Sequence, residues 1–294
     1  MKKIFYLAAA MSIVAFAACE KQGGKEDEKE ATKVTVAEDA LVLHLPFEDG
    51  SVAVGEGVTF ASQEGKAELV DGFIGKAYTN TSGDAKEAGY LKYNLAATNC
   101  INSLKSFTFS AWVKRPALGS GTFFSVNGGE HDWASTMQFF FDNTGVGEDG
   151  ATYQQFNARI DSYKQGEDGN KFQASCWPNV QGPEFAKVDE WFHVARTYDA
   201  ATGAWKVYVD GVQTHDGVHE FGDPAGPFGD LDLASPTMNA LYIGGWAAII
   251  DGVNNQDWMT YFNGSVDEVR MYNRALTDQE IGQLWQQEKL INLE

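Results

Sequence analysis

At 294 residues, with 44% hydrophobic and 13% aromatic side chains, the chain is long enough to bury a sizeable core and too apolar to be a disordered polymer. Its 41 acidic residues against 22 Lys and Arg leave a formal charge of −19, which excludes nucleic acid and anionic lipid surfaces as natural partners, because both are bound through clustered cations. Neutral ligands and cations suit it better, and 31 Gly with 7 Pro can serve the many turns of a strand-rich fold.

The chain opens with an address. Lys2 and Lys3 precede an apolar run, Ile4 to Phe16, too short for a comfortable membrane span, and Ala17-Ala18 supply small residues for cleavage. Phe16-Ala17-Ala18-Cys19 resembles a bacterial lipobox, with Phe where Leu is commoner, so residues 1–18 are expected to be a leader and Cys19 the lipidated residue. Acyl chains there would tether the protein to the cell envelope, the outer membrane being the expected location, without a transmembrane helix. Residues 19–39 mix Lys with acids around Gly23-Gly24 and read as a flexible linker, with the folded domain starting at residue 40. Beyond Cys19 only Cys100 and Cys176 remain; one disulfide between them and two buried free thiols are both open.

From residue 41 the pattern is that of strands. Leu41, Leu43, Leu45 and Phe47 alternate before the Glu48-Asp49-Gly50 turn, and short runs follow at 72–78 and 89–93. Phe107, Phe109, Ala111 and Val113 form the clearest apolar face, stopped by Pro116. Further strands are expected at 122–126, 137–141, 155–160, 172–177, 191–198, 205–209 and 240–243, with Asp210-Gly211 as a hairpin signal. After the Asn263-Gly264 turn, Val266, Val269 and Met271 mark a last strand, whose adjacent Asp267 and Glu268 would fall on opposite faces. Thr277 with Glu280 three residues on then spells the capping box of a short C-terminal helix. Many strands and one terminal helix predict an all-β, two-sheet antiparallel sandwich.

Four of these stretches carry a family resemblance: Ser106-Phe107-Thr108-Phe109-Ser110-Ala111-Trp112-Val113-Lys114, Trp191-Phe192-His193-Val194-Ala195 with the Trp205-Lys206-Val207-Tyr208-Val209-Asp210-Gly211 hairpin, Leu241-Tyr242-Ile243-Gly244-Gly245, and Phe262-Asn263-Gly264-Ser265-Val266-Asp267-Glu268-Val269-Arg270-Met271-Tyr272. In this order they resemble the laminin-G-like, concanavalin A-like lectin/glucanase jelly rolls. The resemblance implies a jelly-roll sandwich over residues 40–294 and leaves function open, since that fold serves many. It also implies a structural calcium tying the first strand to the last, held by the Asp267 side chain and by Glu48, with carbonyls of Pro46 to Glu48 and near Gly75.

Chemistry-bearing groups are sparse. Glycanases of this fold carry alternating acids on one strand, Glu-x-Asp-x-x-Glu, and no such strand is present; Asp230-Leu231-Asp232 reads as a solvated loop. His215 and His219 have the spacing of zinc ligands on a helix but sit in hairpin and loop sequence, and His193 is expected in the sheet with a hydrogen-bond partner. Trp133, Trp177, Trp246 and Trp258 lie in or beside loops rich in Asn, Asp and Gln, notably Asn255 and Asp257, where a flat ring can pack on a pyranose while amides and carboxylates bind its hydroxyls. Trp112, Trp191, Trp205 and Trp285 are assigned to packing. The leading expectation is therefore a non-catalytic, glycan-binding surface lipoprotein with specificity in the 128–190 and 245–261 stretches. An adhesion module meeting an envelope protein partner, or a glycan-degrading enzyme with an unfamiliar site, are the alternatives.

Overall fold

The computed structural model describes residues 33–48, 54–129, 135–166, 169–222, 224–254 and 260–292. The leader, Cys19, most of the linker, Trp133, Trp258, Asn255 and Asp257 lie outside the described residues.

Among the described residues the strands form two large antiparallel sheets. One has nine strands, ordered Val212–Val218, Ala204–Val209, Phe192–Tyr198, Phe107–Lys114, Ser265–Tyr272, Leu41–Leu45 and Val54–Gly55, with Lys76–Asn80 joined to Ser265–Tyr272 and Ala67–Asp71 beyond it. The other has eight, ordered Lys171–Cys176, Thr152–Gln165, Ser135–Val146, Gly121–Asn127, Ala240–Ile243, Gly89–Leu95 and Val58–Gly65, with Asn179–Gly182 pairing to Thr152–Gln165. This is the two-sheet antiparallel sandwich that the alternation predicts, and the jelly roll that the resemblance implies. Phe107, Phe109, Ala111 and Val113 meet Phe124, Phe139 and Phe156 in one core, Phe109 stacking on Phe139 with centroids 3.8 Å apart. Strands at 58–65, 67–71 and 179–182 are additions to the sequence reading, because polar, partly exposed strands carry little period-2 apolar signal. A single helical turn, Ala247–Ile250, was likewise too short to leave a helical period.

In the central strand Phe107 through Val113 are buried on both faces, not only on the apolar one. The helix Asp278–Asn292 explains this, since it covers the outer side of the nine-stranded sheet with Ile281 and Leu284 against Ala195, Tyr208 and Tyr272. Its capping box forms as spelled, with the Thr277 amide donating to Glu280 Oε2 at 2.8 Å and the Glu280 amide to Thr277 Oγ1 at 3.2 Å. Residues before the first strand also pack here: Val36 and Ala40 join the same cluster, and the Thr35 amide donates to Gln287 Oε1 at 2.9 Å.

Cys100 and Cys176 are free, buried thiols, the second of the two states that the sequence leaves open. Each is packed separately: Cys100 faces Gly55 at the edge of the nine-stranded sheet, while Cys176 pairs across from Ile160 in the eight-stranded one. Burial pushes the Cys100 thiol up to about 11, as expected of an inert apolar site.

Candidate functional site

The outer face of the eight-stranded sheet is built by the polar half of the alternation. In Thr152–Gln165, Phe156, Ala158 and Ile160 enter the core, so Asn157, Arg159 and Asp161 point the other way. Register then aligns Tyr242 with Ser125, Ser125 with Gln138 and Gln138 with Arg159 across four strands.

The turn at Ala247–Ile250 covers one half of this face. Ser125 Oγ donates to the Gly245 carbonyl at 2.7 Å and accepts the Ala247 amide at 3.1 Å, while Asp251 accepts from the Tyr242 hydroxyl and from Asn127 Nδ2. Trp246 is part of this cover. It is 3% exposed and packs against Phe140 with ring centroids 5.1 Å apart. Trp246 is therefore corrected from an open ligand platform to a packing residue: the loop that looked wet folds down onto the sheet.

The other half carries a connected polar group. Arg159 holds Asp161 through Nε at 3.1 Å and Nη2 at 2.9 Å, and Ser175 Oγ donates to Asp161 Oδ1 at 2.6 Å. Trp177 Nε1 donates to Asn157 Oδ1 at 3.1 Å, and the Arg159 guanidinium lies 5.1 Å from the Trp177 ring. Burial draws the Arg159 pKa down against the pull of Asp161. Gln138, 1% exposed, stands beside Arg159 with neither carboxamide atom hydrogen-bonded among the described residues. Trp177 itself is 39% exposed at the sheet edge, between Lys171–Cys176 and Asn179–Gly182. Gln138, Asn157, Arg159 and Asp161 were missed by sequence reading, although Asn-x-Arg-x-Asp on the polar side of a strand was the available signal.

The predicted calcium residues meet at one loop. The Asp267 carboxylate accepts the Ile74 amide at 2.9 Å and the Glu268 amide at 2.7 Å, with a Cβ at Gly72 placed 2.6 Å from its Oδ2. Glu48 accepts the Lys76 amide at 3.2 Å on the other side, beside Gly75, whose φ of +51° suits glycine. Burial and the charge of Glu268 push the Asp267 pKa well up, opposed only by backbone amides. A cation here would answer an uncompensated buried carboxylate. Among the described residues no three of His, Cys, Asp and Glu converge, so its remaining ligands would have to be backbone carbonyls.

Glu268 departs from the sequence expectation. The pairing shifts between Asp267 and Arg270, and Glu268 adopts φ +49°, a bulge that places Asp267 and Glu268 on the same outer face. Glu268 accepts from His44 at 2.8 Å and from Arg270 at 2.5 Å; burial works against its charge, but His44 and Arg270 hold its pKa below the ordinary value. Arg270 also reaches Glu288, which takes a 2.8 Å hydrogen bond from Trp112 Nε1 and is pushed up to about 7 by burial.

The histidines follow the bland reading in part. His193 lies in the sheet opposite Trp112, but among the described residues neither ring nitrogen has a hydrogen-bond partner; Glu288 is 3.8 Å away, and burial pulls its pKa down to about 3. His215 neighbours Glu184 at 3.5 Å, whereas His219 stacks on Trp205, so the pair does not converge. Asp232 pairs with Lys171 at 2.9 Å in the loop.

Comparison with known proteins agrees with this architecture. No curated protein matches the chain. Domain 4 of AbnA, a GH43 extracellular arabinanase from Geobacillus stearothermophilus solved with arabinotriose, superposes with TM-score 0.46 at 22% identity, covering 83% of this chain and 98% of that one. The binding domain of Paraclostridial Mosquitocidal Protein 1 gives TM-score 0.52 at 13% identity over 84% of this chain and 52% of that one. A botulinum neurotoxin type C structure, described as depending on two ganglioside molecules for cell entry, gives 0.52 at 14% identity over 86% and 53%. The chain thus spans about half the length of the two toxin structures. The family model described as concanavalin A-like lectin/glucanases superfamily matches residues 87–282, two thirds of the sequence, and the chain belongs to that superfamily.

Proposed function

We propose that this chain is an exported lipoprotein, anchored in the outer membrane through an acylated Cys19, whose jelly roll binds a glycan without cleaving it on the outer face of the eight-stranded sheet. The observation that carries the reading is the Gln138 carboxamide, 1% exposed and unbonded among the described residues, set opposite Arg159, which pairs with Asp161 and lies 5.1 Å from the half-open Trp177 ring. Buried polar groups are ordinarily satisfied, and an orphaned carboxamide among other hydrogen-bonding groups next to an aromatic ring is suited to sugar hydroxyls. Two carboxylates flanking a glycosidic bond would be needed for hydrolysis. On this face Asp161 is held by Arg159 and Ser175, and Asp251 by Tyr242 and Asn127.

The gangliosides named for the type C neurotoxin are glycolipids recognised by a protein of similar fold, which makes a glycan ligand compatible with this architecture. A structural calcium at Asp267 and Glu48, completed by backbone carbonyls, is part of the same proposal. Calorimetric titration of the purified protein with a panel of plant and host polysaccharides tests the function. Binding weakened by Gln138→Ala and Trp177→Ala is expected; no heat with any polysaccharide would overturn it.

A further inference from the structure

We propose a second sugar-binding pocket on the opposite side of the molecule, at Trp191, which takes a single neutral pyranose unit. It shares the ligand class of the site at Trp177 and none of its residues.

The pocket has a volume of about 290 Å³ on the outer face of the nine-stranded sheet, and no described residue of the C-terminal helix lines it. That is at the small end of the range for ligand pockets, about 300–1,000 Å³. Trp191, half-buried and expected from sequence to be a packing residue, forms one wall. Its ring is set against Phe73, centroids 6.4 Å apart at 65°, and Phe73 is in turn stacked on Trp112 at 3.5 Å. Hydroxyls of Thr79 and Ser265, hydrogen-bonded to each other at 2.9 Å, line another part of it.

Four charged residues, two of each sign, also line it: Asp71 is paired with Lys76 at 2.7 Å and Arg115 is bonded to backbone carbonyls, which leaves Lys114 and Asp189. Lys114 and Asp189 both border the pocket, yet the two make no ion pair, and neither side chain has a hydrogen-bond or ion-pair partner among the described residues. An anion would meet Asp189 and a cation Lys114; a neutral polyol uses both, its hydroxyls donating to the carboxylate and accepting from the ammonium. The Trp191 face offers the apolar side of the ring its packing surface.

The arrangement is held in place before any ligand arrives. Arg115, at the end of the central strand, donates through Nε to the Lys187 carbonyl at 3.2 Å and through Nη2 to the Phe185 carbonyl, and its own carbonyl accepts the Asp189 amide at 2.8 Å. Its guanidinium lies 4.0 Å from the Phe141 ring, in the core. The segment bearing Asp189 and Trp191 is thereby clamped to the strand that carries Lys114, so little ordering entropy is spent on binding.

Saturation-transfer NMR with the methyl glycosides of glucose, galactose and mannose tests the pocket, on the whole protein and its variants. Trp191→Ala and Lys114→Ala should each remove at least half of the transferred signal for the glycoside that binds, Trp191→Phe should retain most of it, and Trp177→Ala should leave the pocket's share intact. Lys114 is only half-buried, so its variant remains folded even where Trp191→Ala does not. The proposal is overturned if Trp191→Ala and Lys114→Ala give wild-type signal, if Trp177→Ala alone abolishes it, or if no glycoside shows transfer. Signal lost in the pocket variants and untouched in Trp177→Ala would instead support the pocket and count against the face at Gln138.

Discussion

Replacing Trp177 and Trp246 by Ala separates two tryptophans that look alike in sequence. Trp177 is 39% exposed, and its anchoring contacts among the described residues include the 3.1 Å hydrogen bond to Asn157 and the Arg159 guanidinium 5.1 Å from its ring. Losing them costs about 1 kcal/mol for the hydrogen bond and about 0.5–1 kcal/mol for the cation–π contact, so Trp177→Ala destabilises by roughly 2 kcal/mol. As a stacking residue in a binding site, its truncation should weaken glycan affinity by about 2 kcal/mol, roughly 30-fold. Trp246, 3% exposed against Phe140, lies in the regime of buried aromatic truncation, about 3–5 kcal/mol. At about 2–4 °C per kcal/mol for a domain of this size, Trp246→Ala should lower Tm by roughly 10 °C, against about 5 °C for Trp177→Ala. Calorimetric titration with the bound polysaccharide and differential scanning calorimetry read the two effects. Unaltered affinity in Trp177→Ala, or an unaltered melting temperature in Trp246→Ala, would refute the assignment of one ring to recognition and the other to packing.

The remaining expectations concern the anchor and the seam. Cys19→Ala should abolish incorporation of labelled palmitate and release the protein from the membrane fraction; persistent labelling would remove lipidation at this residue. With calcium at the seam, EGTA should lower the wild-type Tm by several degrees and leave Asp267→Asn, already destabilised by a poorer acceptor for the Ile74 and Glu268 amides, without further shift; identical wild-type melts in EGTA and calcium would sink the calcium proposal. Glu288 is raised by burial from an ordinary 4.5 to about 7, so over that interval the folded state binds more protons than the unfolded one and stability falls as pH rises. Glu288→Gln should cancel that decline, about 3 kcal/mol between pH 4.5 and 7, leaving the opposing rise expected from His193, whose pKa is depressed to about 3; parallel wild-type and variant curves would contradict the reading.

Much of the fold was legible locally. The Phe107/Phe109/Ala111/Val113 alternation, the hairpin at Asp210-Gly211 and the capping box at Thr277 and Glu280 depend on near neighbours in the chain, and each formed as spelled. Period-2 burial and side-chain capping act over two or three residues, so a sequence alone displays them. The candidate site was less legible. Asn157, Arg159 and Asp161 were visible as the polar side of a strand, but nothing local says that Gln138, from another strand, is their neighbour, since that depends on register.

Tertiary structure alone decided the rest. Whether Trp177 or Trp246 keeps an open face depends on where each loop folds, and an Asn- and Gly-rich loop spells both outcomes equally well. The C-terminal helix, by covering the outer side of the nine-stranded sheet, buried the second face of the central strand and enclosed Glu288 and His193. The bulge at Glu268 overrode simple alternation and brought two adjacent acids to one face. Cys100 and Cys176, equally apolar in sequence, were placed as separate buried thiols by strand order. Alternation tells which side of a strand is apolar; only the packed neighbours determine what covers the other side, because coverage and register are set by contacts between residues far apart in the chain.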